Sequence, residues 1–97
     1  MHRKNEKIEL LRKRIERIDE KIIKLFIRRL EYAKVLGLEK KRLGLDVYQP
    51  LVEDKVIKRY MEGIKEGGYD ENLGVELAKF VLAQSKKVQE KISKDDI

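Results

Sequence analysis

Residues 10–40 read LLRKRIERIDEKIIKLFIRRLEYAKVLGLEK, and this stretch decides the fold. Counted in sevens, one stripe runs Ile8, Ile15, Ile22, Arg29, Leu36, and an interleaved stripe runs Leu11, Ile18, Leu25, Tyr32. Apolar residues at this spacing make a long amphipathic helix with a heptad-like seam. Arg29 stands where the pattern asks for an apolar side chain. An isolated guanidinium on a packing seam is expensive, so it requires an acceptor. The residue four positions upstream is Leu25, and Glu31 and Glu39 lie on other faces.

Working outward, the first helix is expected from about residue 5 to residue 43. At 1.5 Å per residue it is roughly 57 Å long, more than the diameter of a compact chain of this size. A helix that outruns its own domain, with a heptad seam, points to a paired helix from a second subunit. Gly37 falls inside it and weakens it, although the apolar period continues to Leu36 and Leu43. Gly44 ends it, and Pro50 suits the first turn of a second helix, expected over about 50–66 and stopped by Gly67-Gly68. Its apolar positions are Val52, Val56, Ile57, Tyr60, Met61 and Ile64. Asp70 is an N-cap candidate for a third helix, about 71–92, with Glu71 in the first turn. The third helix carries Leu77, Ala78, Val81 and Leu82, then Ser85, Val88, Gln89 and Ile92, so Ser85 and Gln89 interrupt an apolar face. Nothing alternates at period two for long enough to suggest a sheet. The expectation is an all-α chain of three helices forming one domain over residues 1–97, interlaced with a second copy as a homodimer. Phe26, Phe80, Tyr32 and Tyr60 read as core; Tyr48 and Tyr69 sit in connections.

Composition narrows the function classes. Charged residues make up 43% of the chain, well above the ~25% of an average soluble protein. The net charge is +6, but basic residues are interleaved with Glu9, Glu16, Asp19, Glu20 and Glu31 at helical spacing. That is the pattern of a solvated face rather than a nucleic-acid-binding surface. There is no cysteine and a single histidine, His2, so no thiolate chemistry and no His/Cys zinc site is expected. No leader and no run long enough to span a membrane is visible, and a cytoplasmic location is expected. Abundant Lys, Arg and Glu is compatible with a thermophilic source.

Several polar residues have two readings on pattern alone. Arg29 either fixes helix register or binds an anion between helices; Arg suits a carboxylate through its bidentate fork. Lys40 lies eleven residues after Arg29, about 16 Å along the axis and pointing roughly the same way. Two long side chains at that spacing can close around a small diacid. Arg12 lies seventeen residues before Arg29, about 25 Å away and on another side of the helix. It is either a surface charge or a residue that reaches the Arg29 of another chain. Gln89 is a satisfied core amide or a site residue. Glu53 is a favourable helix-start carboxylate or a site residue.

These residues in this order resemble the all-helical chorismate mutase family, over nearly the whole chain from about Leu10 to Gln89. The strongest piece is LRKRIERIDEKIIKLFIRR followed by AKVLGLEK; the ordered set is Arg12, Asp19, Arg29, Lys40, Glu53, Ser85 and Gln89. The resemblance implies an intertwined dimer that rearranges chorismate to prephenate without a cofactor. It implies that Arg29 pairs with a substrate carboxylate within its own subunit and that Arg12 reaches in from the other. It implies that Lys40 contacts a carboxylate and the ether oxygen, that Gln89 is the second donor to that oxygen, and that Glu53 accepts the ring hydroxyl. Ser85 corresponds to a pocket residue. The second-helix start departs from the family's Asp-Pro-x-Arg-Glu: QPLVE places Gln49 and Val52 where Asp and Arg stand. Lys55 or Lys41 is a candidate to supply the missing positive charge. The nearest rival is the isochorismate pyruvate-lyase branch of the same fold, and a non-catalytic helical dimer or regulatory module is a further alternative. Many family members are fused to other enzymes; a stand-alone enzyme without end-product feedback is expected here.

Overall fold

The fold is that of a computed structural model, which describes the backbone of residues 2–94 and the side chains of residues 5–94. The side chain of His2 therefore lies outside the described residues. The described residues form three helices: α1 over His2–Leu43, α2 over Pro50–Glu66 and α3 over Glu71–Lys94. The expected three-helix all-α architecture is the one the chain adopts.

Local chemistry sets the helix ends. Gly44 has φ of +69°, and around it Leu45 N–H donates to the Lys40 carbonyl at 2.8 Å and Gly44 N–H to the Lys41 carbonyl at 3.3 Å. This crossed pair is a Schellman cap, which needs a left-handed residue after the last turn. Gly68, φ +87°, does the same for α2, with Tyr69 N–H on the Ile64 carbonyl at 3.2 Å. Pro50 opens α2 at a position where no intrahelical N–H is needed. The Asp70 carboxylate accepts from Asn72 N–H at 2.9 Å at the start of α3.

The helices lie side by side with α3 in the middle. It packs on both α1 and α2, whose backbones do not pack directly on one another. The Cα envelope measures 63 × 30 × 13 Å, one helix thick. A single layer leaves two faces without a second layer to cover them. The radius of gyration is 18.1 Å, against roughly 12–13 Å for a compact chain of this length.

Small residues bring the layer together. The stripe of α3 that faces inward is Gly74, Ala78, Val81, Ser85 and Gln89, all buried. The buried positions of α1 are Ala33, Gly37 and Lys40. Gly37 marks the α1–α3 crossing: a Cβ there would lie 3.1 Å from Gln89 Cγ and 3.2 Å from Gln89 Cα. Gly74 marks the α2–α3 crossing, where a Cβ would lie 2.5 Å from the Tyr60 carbonyl oxygen.

Among the described residues, the apolar seam of α1 from Ile8 to Leu25 has no partner that buries it. Every residue from Asn5 to Leu25 is exposed, and Ile15, Ile18 and Ile22 are 57%, 55% and 58% exposed. The expectation that Tyr32 and Phe80 are core residues is corrected: they are 69% and 57% exposed. Phe80 does stack on the half-buried Phe26, with ring centroids 6.0 Å apart, but both flank the uncovered face. Periodicity marks an apolar face without saying which chain covers it.

Candidate active site

Where α1, α3 and the start of α2 converge, they enclose a cavity of about 300 Å³. That is at the lower end of the range for small-molecule sites. The wall from α1 includes Arg29, Ala33, Leu36 and Lys40; α3 supplies Leu82, Ser85, Lys86 and Gln89; Val52, Glu53 and Val56 come from α2. The cavity therefore brings together Arg29, Lys40, Glu53, Ser85 and Gln89. Helical spacing explains the convergence: Arg29, Ala33 and Lys40 fall on one stripe of α1, and Ser85 and Gln89 are four apart on α3.

Lys40 is the most enclosed cation, 7% exposed. Its ammonium donates to the Gln89 side-chain carbonyl at 2.8 Å and to the Val47 backbone carbonyl at 2.9 Å. Two acceptors fix the ammonium in place. They also fix the Gln89 amide: its oxygen is engaged by Lys40, which leaves the NH₂ as the free donor. Burial holds the Lys40 pKa below the ordinary lysine value, and the Glu53 carboxylate opposes that shift.

Arg29 donates through Nη1 to the Ser85 hydroxyl. Among the described residues no carboxylate pairs with it; the ion pairs in which arginine takes part are Arg12–Glu9 and Arg42–Glu39, both on the exposed surface. A hydroxyl orients the guanidinium and does not neutralise it. The seam arginine thus presents an uncompensated charge to the cavity.

Arg12 lies outside this cavity. Its guanidinium is 3.3 Å from Glu9, with side-chain exposures of 72% and 62%, an arrangement of little energetic consequence. Asp19 is also exposed. The expectation that Lys55 or Lys41 supplies an extra cation is not met, since neither lines the cavity; Lys41 instead donates to the Ile92 carbonyl at 3.2 Å. The additional cation on the wall is Lys86, whose ammonium sits 4.2 Å from the centroid of the Tyr48 ring. Sequence reading missed it because it falls beside the apolar stripe, in a run of polar residues that resembles a solvated face.

Comparison with known proteins agrees with this geometry. Residues 11–90 match the family model described as chorismate mutase type II. The chain is 33% identical over 84 residues to a protein named chorismate mutase from Methanocaldococcus jannaschii, covering 87% of this chain and 85% of the relative. No solved structure matches the chain significantly. The match to the family model spans the long helix from Leu11 onward, both crossings and every residue of the cavity wall, and on it the chain belongs to the type II chorismate mutase family.

Proposed function

We propose that this chain is a chorismate mutase that converts chorismate to prephenate as a homodimer. The observation that carries the reading is a cavity whose buried ammonium and free amide donor sit beside an arginine with no carboxylate partner. Such a cavity suits a small dicarboxylate.

The rearrangement breaks a C–O bond while a C–C bond forms within one molecule. It needs no nucleophile and no proton transfer. Negative charge builds on the ether oxygen as the C–O bond lengthens. Donors fixed at that oxygen bind the transition state more strongly than the ground state. Lys40 and the Gln89 NH₂ take this role, and they are already oriented by Val47 and by each other. Arg29, oriented by Ser85, takes a substrate carboxylate. Arg12 of the second subunit takes a carboxylate from the other side and helps fold the substrate into a reactive conformer. Glu53 accepts the ring hydroxyl. Its place on the cavity wall supports the mutase over the isochorismate pyruvate-lyase branch if it meets the hydroxyl at the ring position where chorismate carries it, since isochorismate carries its hydroxyl at a different ring carbon.

Incubation with chorismate tests the assignment. The ultraviolet absorbance of chorismate is expected to fall, with prephenate as the product. Salicylate and pyruvate released from isochorismate with a larger kcat/KM would move the chain to the lyase branch, and inactivity on both substrates would leave a non-catalytic helical dimer.

A further inference from the structure

Three cations and one carboxylate line the cavity: Arg29, Lys40, Lys86 and Glu53. Two of the cations already have part of their donor set engaged within the chain. Lys40 is held by Val47 and Gln89, and Arg29 donates to Ser85. Lys86 differs. Among the described residues its ammonium has no hydrogen-bond or ion-pair partner, and its contact is the face of Tyr48 at 4.2 Å. An aromatic ring attracts a cation through its quadrupole without cancelling the charge or consuming an N–H donor. The ring therefore aims the Lys86 side-chain nitrogen while leaving it free to donate. The placement is built from two elements, since Lys86 is on α3 and Tyr48 in the connection between α1 and α2. Lys86 follows Ser85 directly in the chain and lines the same cavity as Arg29.

Charge balance gives this position a role. Without Lys86 the cavity wall holds two cations against Glu53, enough within this chain for one anionic group. With it the wall of this chain alone carries a net of two positive charges, equal in size to the charge of a dicarboxylate, and the Arg12 proposed from a second subunit would add to that attraction. We infer that Lys86 is a carboxylate-binding residue of this cavity, aimed by the Tyr48 ring and acting on substrate affinity rather than on the rearrangement itself. The inference rests on the cavity being the chorismate site.

The test is steady-state kinetics with chorismate, together with inhibition by prephenate, which retains both carboxylates. K86Q is expected to raise KM about tenfold or more, the scale of one lost charge-assisted hydrogen bond, with kcat within about twofold. The inhibition constant of prephenate should rise in parallel. K86R keeps the charge and should recover most of the loss. Y48L, which removes the ring, should raise KM by less than K86Q, and Y48F by less than Y48L. Circular dichroism checks that the helices persist. KM and prephenate inhibition unchanged in K86Q, or a loss confined to kcat, overturns the role of Lys86. A wild-type chain that makes no prephenate instead overturns the reading on which the role depends.

Discussion

Gly37→Ala separates stability from catalysis at the α1–α3 crossing. The added Cβ would sit 3.1, 3.2 and 3.3 Å from Gln89 Cγ, Cα and Cβ, where ordinary contacts begin at 3.4 Å. The shortfall is a few tenths of an ångström, and all of it falls on Gln89. Because Cα is among the crowded atoms, a change of side-chain rotamer cannot relieve the contact; α3 must back away or roll. One turn further along α1, Lys40 holds the Gln89 carbonyl at 2.8 Å, so any such movement disturbs that pair. The stability terms nearly cancel. Replacing a helical glycine by alanine gains about 1 kcal/mol of helix propensity, and overpacking costs about 1–3 kcal/mol. The net change is expected within about 2 kcal/mol. The catalytic terms do not cancel. Loss of one donor to a developing oxyanion costs about 10²–10³ in rate, and partial misplacement should cost at least about tenfold in kcat. Urea unfolding and chorismate kinetics, run at one protein concentration, read the two effects separately. Wild-type kcat in a folded G37A protein would refute the reasoning, and so would a loss explained wholly by unfolding. Gly74→Ala is the control. Its Cβ would meet the Tyr60 carbonyl oxygen at 2.5 Å, the Tyr60 carbonyl carbon at 2.7 Å and Met61 Cα at 2.9 Å. These are backbone atoms of α2 with no rotamer to change, so this substitution should act on stability, by about 3 kcal/mol or more.

Three further outcomes follow from the same geometry. In Q89E the group proposed to face the ether oxygen would become an acceptor whose charge opposes the one that develops, so kcat/KM relative to wild type should rise as pH falls and the carboxyl protonates. A pH profile parallel to wild type with little loss would remove Gln89 from the mechanism. Burial lowers the Lys40 pKa and Glu53 opposes the shift, so activity should decline with alkalinity earlier than an ordinary lysine would dictate, and E53Q should move that decline to lower pH. Over the same window Lys40 acts on stability with the opposite sign, because a charged form disfavoured by folding is relieved as pH rises through the lowered pKa. R12A and R29A should each be nearly inactive, yet mixing them under exchange should restore activity toward half of wild type, since one site of the heterodimer would be intact; proven exchange without recovery would place both residues in one chain's site or neither in catalysis.

The sequence showed the polar members of the site because they break an apolar rhythm. Arg29, Ser85 and Gln89 are legible as intruders on helix faces, and Lys40 by its spacing from Arg29. What it hid is steric or lies off the stripe. Gly37 reads as a defect in a helix when judged by propensity, whereas its physical role is to let another helix approach. Gly74 has no pattern to mark it, because the atoms it accommodates, at Tyr60 and Met61, are remote in the chain. Lys86 looks like solvated surface until Tyr48, from a connection without periodicity, is placed against it. Tyr32 and Phe80 read as core because hydrophobicity reports that a face needs cover and not which chain provides it.

That last ambiguity has a decisive test in Ile15 and Ile22. Both lie on the heptad seam of α1, 57% and 58% exposed, in a segment where no described side chain is buried. Neither lines the cavity. If the chain acts alone, replacing either by lysine removes exposed apolar surface and should be neutral, within about 0.5 kcal/mol. If the seam is covered by a second copy, the same change places a charge in an apolar interface and should disrupt assembly. Most helical stability in proteins comes from packing of an apolar face, and the arm from Asn5 to Leu25 buries none of its described side chains within this chain, so a partner would stabilise it. That arm carries Arg12, about 25 Å along α1 from Arg29, which a crossing helix from a second copy would bring to the cavity. Cover for the seam and completion of the site thus become one event. Wild-type protein at micromolar concentration should sediment at about twice the 11.5 kDa chain mass. I15K and I22K should shift it toward monomer and lose activity together, although no cavity residue has changed. Monomeric variants with full activity would contradict the shared site, and wild-type protein active as a stable monomer would do so without any substitution.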